Sequence, residues 1–455
     1  MPNFIKGTSV IPPVSTNDHC TVSVDISFKI PHERPYERII WLYKKGDFVG
    51  FRNALANENW ESCFANQCPN DACYKWCERF LNIARIYIPN KCVLIRPRDV
   101  PWYNNQLRNT RRKVHRLFNL AKRTKNQYHW EHYTAARNDY HNQLKCAEID
   151  YKKNLSKKLM QSKNSKYWWN TVKQMLGRGG DDSYPPIHDP TSHQYISDSK
   201  EKANLFNRFF LSHSQIDTSS TTLPHNNDRL DFTLSYITAT ENEVSDLLKS
   251  LDTSKACGPD GISPKLLKEA GYAIVPSLTK LINLSLNKCI VPTAWKKANV
   301  IPLHKKGSKD NLTNYRPVSL LPIPGKILEK IVFKHVYNFF HSHNLLTKHQ
   351  SGFRPGDSTV NQLAYLYHTF CEALDKKKDI RIVFFDISKA FDKVWHEGLI
   401  FKLRKIGITG NLLEWFKDYL HGRSQRVIIR GQSSDWGLLK ATGFCSWTIT
   451  ISCVY

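Results

Sequence analysis

At 455 residues, with 41% hydrophobic and 23% charged side chains, the chain is large enough for about three structural units and too apolar for a wholly disordered protein. Its 66 Lys and Arg against 40 Asp and Glu leave a formal charge of +26, an excess that points to a polyanionic partner, most commonly nucleic acid. No run approaches 18 apolar residues, which excludes a membrane-spanning helix, and 12 Cys without an apolar leader fit a reducing interior better than a disulfide framework.

Residues 20–28 alternate polar and apolar with β-branched side chains, which predicts a strand. One strand cannot fold alone, so residues 1–30 read as the last piece of a domain whose body lies elsewhere. Residues 31–178 read mainly as helix. Between Arg108 and Arg178 there are 18 Lys or Arg against four acids, interleaved with Phe118, Tyr128, Trp130, Tyr133, Tyr140, Tyr151, Tyr167, Trp168 and Trp169. The basic side chains suit phosphate contact; the rings either stack on unpaired bases or form a buried helical stripe. Cys63, Cys68, Cys73 and Cys77, spaced by four, four and three within a helical pattern, read as buried thiols rather than as a zinc set.

Gly177, Gly179 and Gly180 followed by Pro185 and Pro186 break the helical pattern, and residues 179–237 read as a flexible linker with one apolar helical piece at 203–211. From residue 240 the pattern sharpens. Thr240 with Glu243 spells a capping box ahead of Val244, Leu247, Leu248 and Leu251. Gly258, Pro259, Asp260 and Gly261 predict a tight turn, after which Ser263 caps a helix with Pro264 at its first position and Gly271 past its end. Apolar positions from Ile327 to Phe339 predict a second helix and residues 358–374 a third. The apolar run 380–385 predicts a buried central strand, helices follow at 391–406 and 410–420, and a strand at 425–430. Many helices with few strands imply an α+β domain.

The acid Asp386 stands where that predicted strand ends, a position suited either to a divalent cation or to a helix cap. The wider constellation consists of the Gly258–Gly261 turn, residues 295–306, Asn314-Tyr315-Arg316-Pro317-Val318-Ser319-Leu320, Gly352-Phe353-Arg354-Pro355-Gly356 and the run from Asp386 to His396. In this order it resembles the reverse transcriptase of non-LTR (LINE-type) retrotransposons over roughly residues 240–440. Group II intron reverse transcriptases share a Gly-Phe-Arg-Pro-Gly-like segment, but the run through Phe391 and Asp392 to Trp395 is more similar to the retrotransposon class. The resemblance implies the fingers and partial palm of a right-hand polymerase over residues 238–440. Such an enzyme copies an RNA template from a DNA primer with deoxynucleoside triphosphates, by two-metal phosphoryl transfer with Mg²⁺. It further implies that Asp386 is the first metal-ligating carboxylate, that Arg316 grips the triphosphate with help from Lys305 or Lys306, and that Phe391 lies beneath the incoming sugar. The alternatives are a surface ion pair for Arg316 and core packing for Phe391. Asp392 is expected to be structural.

Thr16-Asn17-Asp18-His19, before the first strand, resembles the final motif of the apurinic-type endonuclease that precedes this polymerase in many such elements, with Asn17 where the family usually has Ser. Residues 1–30 are thus expected to be an endonuclease remnant in which Asp18 and His19 persist without the nuclease's metal-binding acids. Residues 441–455 depart from the family pattern: Gly443 is not followed by the Gly-x-Pro-Gln-Gly spelling, and no Tyr-x-Asp-Asp motif follows. Asp181 and Asp182 lie before the palm and are no substitute. A single carboxylate does not hold two cations, so the chain is expected to be a truncated polymerase without activity, or else a non-catalytic RNA- or DNA-binding fragment. By the same resemblance the expected location is intracellular, in nucleus and cytoplasm.

Overall fold

The computed structural model describes residues 5–11, 21–26, 35–95, 100–161, 165–176, 184–215, 221–223, 232–347, 349–390 and 392–439. Asp18, His19, Asp181, Asp182, Phe391 and residues 441–455 lie outside the described residues. Two compact units are present, one built from residues 1–36 and 94–185, the other from 37–93 and 186–455.

The chain opens with an antiparallel hairpin, β1 (Ile5–Ile11) and β2 (Thr21–Ile26), so the predicted strand is found and its partner is the segment just before it. The next strand, β3 (Tyr36–Trp41), precedes α1 (Phe48–Asn57), whose first turn is satisfied by Asp47: its Oδ1 accepts from the N–H groups of Val49 and Gly50. Helix α2 (Pro69–Tyr87) starts with Pro at its first position and buries Ala72, Cys73, Trp76, Phe80, Ile83 and Ala84, one stripe at three- and four-residue spacing. β4 (Asn90–Ile95) then returns beside β3. Cys63 and Cys73 are buried, and the Cys73 thiol, hydrogen-bonded to Cys77 and desolvated, is pushed well above its ordinary range.

The helices of the first unit follow: α3 (Asn105–Thr124), α4 (Gln127–Met160) and α5 (Ser165–Met175). α3 and α4 form an antiparallel hairpin turned by Lys125 in the left-handed region, with Asn126 capping α4.

The second unit resumes with a short hairpin, β5 (Ile187–His188) and β6 (Tyr195–Ile196), and with α6 (Ser199–His213), capped by Asp198. These residues, read from the sequence as part of a flexible linker, are held in place. Ala203, Phe206 and Phe210 turn inward, and the N–H of His188 donates to the Asp310 carbonyl at 2.9 Å. The low-complexity look of the segment hides an apolar stripe that spans only two turns.

Helices α7 (Glu241–Lys249), α8 (Pro264–Ala270) and α9 (Val275–Lys288) carry the predicted caps: the Thr240–Glu243 box closes reciprocally, and Ser263 Oγ accepts from the N–H of Leu266. The turn between α7 and α8 needs Gly258, because a Cβ there would stand 2.3 Å from the backbone nitrogen of Pro322. Strands β7 (Lys297–His304) and β8 (Tyr315–Leu320) pair antiparallel, followed by α10 (Ile323–Ser342), α11 (Thr359–Asp375), α12 (His396–Lys405), α13 (Gly410–Leu420) and β9 (Ser424–Ile429), which lies parallel to β7. Short strands β10 (Gln432–Ser433) and β11 (Gly437–Leu438) fold back on β9.

One hydrophobic core joins α1 and α2 to α7–α10, α12 and α13. Residues 37–93 therefore pack with the segment from residue 186 onward. The centre is aromatic: Trp76 stacks on Phe80 at 5.3 Å, tilts against Trp60 at 5.7 Å, and donates Nε1–H to Ser277 Oγ at 2.9 Å.

The run 380–385 corrects an expectation. It was read as a buried central strand, yet it has no strand geometry, and Val383, Phe384 and Phe385 are 72%, 83% and 92% exposed. A buried strand needs hydrogen-bonding neighbours and covered faces, and no described strand pairs with this run. Apolar composition alone does not supply them.

Candidate functional site

The β7–β8 hairpin sets out the basic cluster. Leu303 faces Arg316 and His304 faces Tyr315 in the ladder, which the N–H of Lys305 extends by donating to the Asn314 carbonyl at 2.8 Å. The connecting loop is stapled from within. Asn314 Nδ2 donates to the Ser308 carbonyl at 2.8 Å, Tyr315 Oη to the Lys309 carbonyl at 2.7 Å, and Gly307 takes φ +79°. Lys305, Lys306 and Arg316 are exposed at this one end of the hairpin, on a backbone held by short-range hydrogen bonds.

Alternation along the strands gives the sheet two faces. Ala298, Val300, Gln425, Val427 and Ile429 are buried on the side where α6 packs, and Gln425 Nε2 donates to Asn207 Oδ1 at 3.2 Å. The opposite face carries Ile301, Leu303, Arg316 and Val318, all open, and beside them Lys297 and Arg426. Arg426 donates Nε–H to Asn299 Oδ1 at 2.8 Å, and both cations stack on Trp436, at 4.7 Å for Arg426 and 5.4 Å for Lys297. Sequence reading placed a strand at 425–430 but gave Arg426 no role. The period-two burial from Ser424 to Ile429 is the signal that puts it on the Arg316 side.

Asp386 is exposed in irregular chain just before a turn at residues 388–390. The turn is closed by the N–H groups of Asp392 and Lys393, both donating to the Lys389 carbonyl, with Lys389 at φ +55°. Lys389 lies over the ring of Phe209 on α6 at 5.8 Å. Asp392 is partly buried, and desolvation raises its carboxyl above the usual range despite the charge of Lys389, as suits an acid that packs inside the turn. His213, at the end of α6, is buried beside the same turn. Desolvation, with Lys389 and Lys393 as further causes, lowers its imidazole to about 4, so it is neutral at physiological pH.

The structure thus groups Arg316 with Lys305 and Lys306, and places Asp392 with Lys389 and His213. No described contact links Asp386 to either group, and among the described residues no set of three or more His, Cys, Asp or Glu is arranged to hold a metal ion. No described helix is long and apolar enough to cross a membrane.

Residues 303–443 match the reverse transcriptase (RNA-dependent DNA polymerase) family. That span begins near the end of β7 and includes Arg316, Asp386 and β9. Among curated proteins, the chain is 30% identical over 263 residues to a probable RNA-directed DNA polymerase from transposon BS of Drosophila melanogaster, covering 56% of this chain and 29% of that protein. It is 32% identical over 197 residues to the RNA-directed DNA polymerase from mobile element jockey of the same species, covering 43% and 21%. It is 31% identical over 193 residues to the probable RNA-directed DNA polymerase from transposon X-element, also of that species, covering 42% and 21%. The chain therefore spans less than a third of the length of these relatives.

Proposed function

We propose that the chain carries the fingers and part of the palm of an RNA-directed DNA polymerase of a LINE-type retrotransposon. The observation that supports this reading is the overlap of the family match with the β7–β8 hairpin, at one end of which Arg316, Lys305 and Lys306 are exposed. A guanidinium backed by two ammonium groups on a rigid turn suits a triphosphate, the shared feature of all four deoxynucleotide substrates. The open sheet face beyond it, with Lys297 and Arg426 held on Trp436, would border the path of an RNA template and DNA primer. Phe391 is proposed to lie beneath the sugar, Asp386 to be the first palm carboxylate, and residues 1–30, with Asp18 and His19, to derive from an endonuclease.

Mg²⁺ is the ion this reading implies. Among the described residues Asp386 belongs to no set of three or more potential ligands, which does not fit a centre that must hold two cations about 4 Å apart, so no step is derived through the metal. The residues in hand bind and orient a nucleotide, and nucleotide incorporation by the chain alone is not expected.

Titration with a fluorescent deoxynucleoside triphosphate tests the reading. Saturable binding should weaken by about tenfold or more in Arg316→Ala, the loss typical of a charge-assisted contact, and equal binding by both proteins would overturn it. Primer extension on an RNA template with Mg²⁺ completes the test. Incorporation abolished by Asp386→Ala would mean that further acids complete the site.

A further inference from the structure

The α3–α4 hairpin resolves a choice that composition left open. Its rings are largely consumed in holding the two helices together. Phe118 meets Tyr133 at 5.3 Å and Trp130 at 6.1 Å near the turn, the hydroxyls of Tyr103 and Tyr140 lie 3.3 Å apart further along, and Trp102 meets Tyr151 at 5.7 Å. Thr110 Oγ1 donates to Gln143 Oε1 between them. Burial, with the hydrogen bond to Tyr103 adding to it, pushes the Tyr140 phenol up to about 12, as expected of a ring in an interhelical seam.

The other side of α3 is different. The helix contains no acid over its 20 residues. At 3.6 residues per turn, Arg112, Arg116, Asn119 and Arg123 fall within about 60° of one another around the axis and span about 16 Å along it. Lys113 and Lys122 flank them, all five cations are exposed, and none has a carboxylate partner among the described residues. Three of the four acids of the neighbouring helix are engaged on that helix: Glu148 pairs with Lys152 at 2.7 Å, Gln143 donates to Asp139 at 2.9 Å, and Gln127 to Glu131 at 3.3 Å. Leu107, Phe118 and Ala121 lie on the seam side, so no Phe, Tyr or Trp ring shares the arginine face; its one ring is the imidazole of His115, exposed and 3.2 Å from the Asn119 amide.

We infer that this face of α3 binds the phosphate backbone of a nucleic-acid duplex without reading its sequence. Single-strand binders gain about 1–3 kcal/mol per base by stacking on aromatic rings, and the exposed rings of this unit, Tyr128 and Trp130 on α4 and Tyr167, Trp168 and Trp169 on α5, stand on other helices than the arginine face of α3. A surface that offers charge alone favours the ligand of higher charge density. A duplex presents one phosphate per about 1.7 Å of axis against 3.4 Å for one of its strands. Arginines one and two turns apart, about 6 and 10 Å, track a backbone and leave base edges untouched. This assignment is independent of the polymerase reading, because it uses residues outside the matched span 303–443 and needs no catalysis.

The test is fluorescence anisotropy with the full chain on a 20-base-pair DNA duplex, an RNA–DNA hybrid of the same length, and each single strand, from 50 to 200 mM salt. Duplex binding, of either kind, should exceed single-strand binding by several-fold at each salt. Joint replacement Arg112→Gln, Arg116→Gln and Arg123→Gln should weaken it by tenfold or more at 100 mM and reduce the slope of log affinity against log salt by about 2.7, from about 0.9 per phosphate contact. The corresponding triple Lys variant should keep the slope, which separates lost charge from misfolding. Single strands bound as tightly as duplexes, or a triple Gln variant with an unchanged slope, would overturn the inference. Binding lost instead on Trp168→Ala with Trp169→Ala, the exposed rings of α5, would also overturn it, assigning the contact to stacking.

Discussion

Replacing Asp260 by Asn should stabilise the protein at and above neutral pH and flatten its pH dependence between about pH 4 and 7. Asp260 sits in the Gly258–Gly261 turn, where Gly258 is pressed against the backbone of Leu321 and Pro322. Its Oδ1 accepts one long hydrogen bond from the N–H of Ile262, at 3.4 Å, while its Oδ2 is sealed from solvent and has no hydrogen-bond partner. Desolvation is the main cause that raises the carboxyl to about 7, against smaller lowering effects from backbone hydrogen bonds and Lys326. An unfolded Asp titrates near 3.9, so between these values the folded state holds a proton that the unfolded state has released. Stability therefore falls as pH rises through this window, and the full cost is present above it. Three pH units would correspond to about 4 kcal/mol as an upper bound; local relaxation and water entry around the ionised carboxylate reduce this, and about 2 kcal/mol is expected. Asn keeps the size and removes the charge. Urea unfolding followed by tryptophan fluorescence at pH 5, 6.5 and 8 measures the effect. If the midpoint of Asp260→Asn fell with pH as steeply as that of the parent, the buried carboxylate would not be the source.

His213 gives the opposite sign on the acid side: its imidazole stays neutral in the fold down to about 4 while the unfolded chain takes a proton near 6.5, so stability is lost as pH falls through that interval. His213→Gln should reduce this loss in urea titrations at pH 4.5 and 7. Trp76→Ala removes a fully buried ring stacked on Phe80 and leaves Ser277 without its indole donor, and should cost about 3–5 kcal/mol in chemical unfolding. Glu329 accepts from Tyr419 Oη at 2.9 Å beside Arg423, which is 1% exposed. Glu329→Ala should cost about 3–5 kcal/mol by removing the carboxylate beside that buried cation and the acceptor of Tyr419, and Glu329→Gln clearly less, as read from melting curves.

Local rules were legible where a few neighbouring residues decide the outcome. The Thr240–Glu243 box, the Ser263–Pro264 start and the helix from Gly410 to Leu420 depend on caps and spacing, and all are found. The pairing of β1 with β2 was missed because residues 5–11 carry Gly7 and little periodicity, and their partner supplies the ladder. The place of residues 37–93 was missed because core membership is a long-range property. Trp76 finds Ser277 some 200 positions away, and nothing in either local pattern points to the other. At the candidate site the motif order singled out Arg316, Lys305 and Lys306, which the structure exposes at one end of the β7–β8 hairpin. The face shared with Lys297 and Arg426 depends on the register of β7 against β9, a parallel pairing that motif spelling does not encode. The run 380–385 misled because hydrophobicity specifies a wish for burial and not the partner that satisfies it.

That run also shapes how the chain behaves among its own copies. From Ile382 to Phe385 four strongly β-forming residues lie open without a charge or proline, and Ile387 beyond Asp386 is 75% exposed. Exposed segments of this kind favour pairing between copies, a process that rises with protein concentration, and Arg381 and Asp386, the two charges bracketing the run, oppose it by hydration and by repulsion between like charges of neighbouring copies.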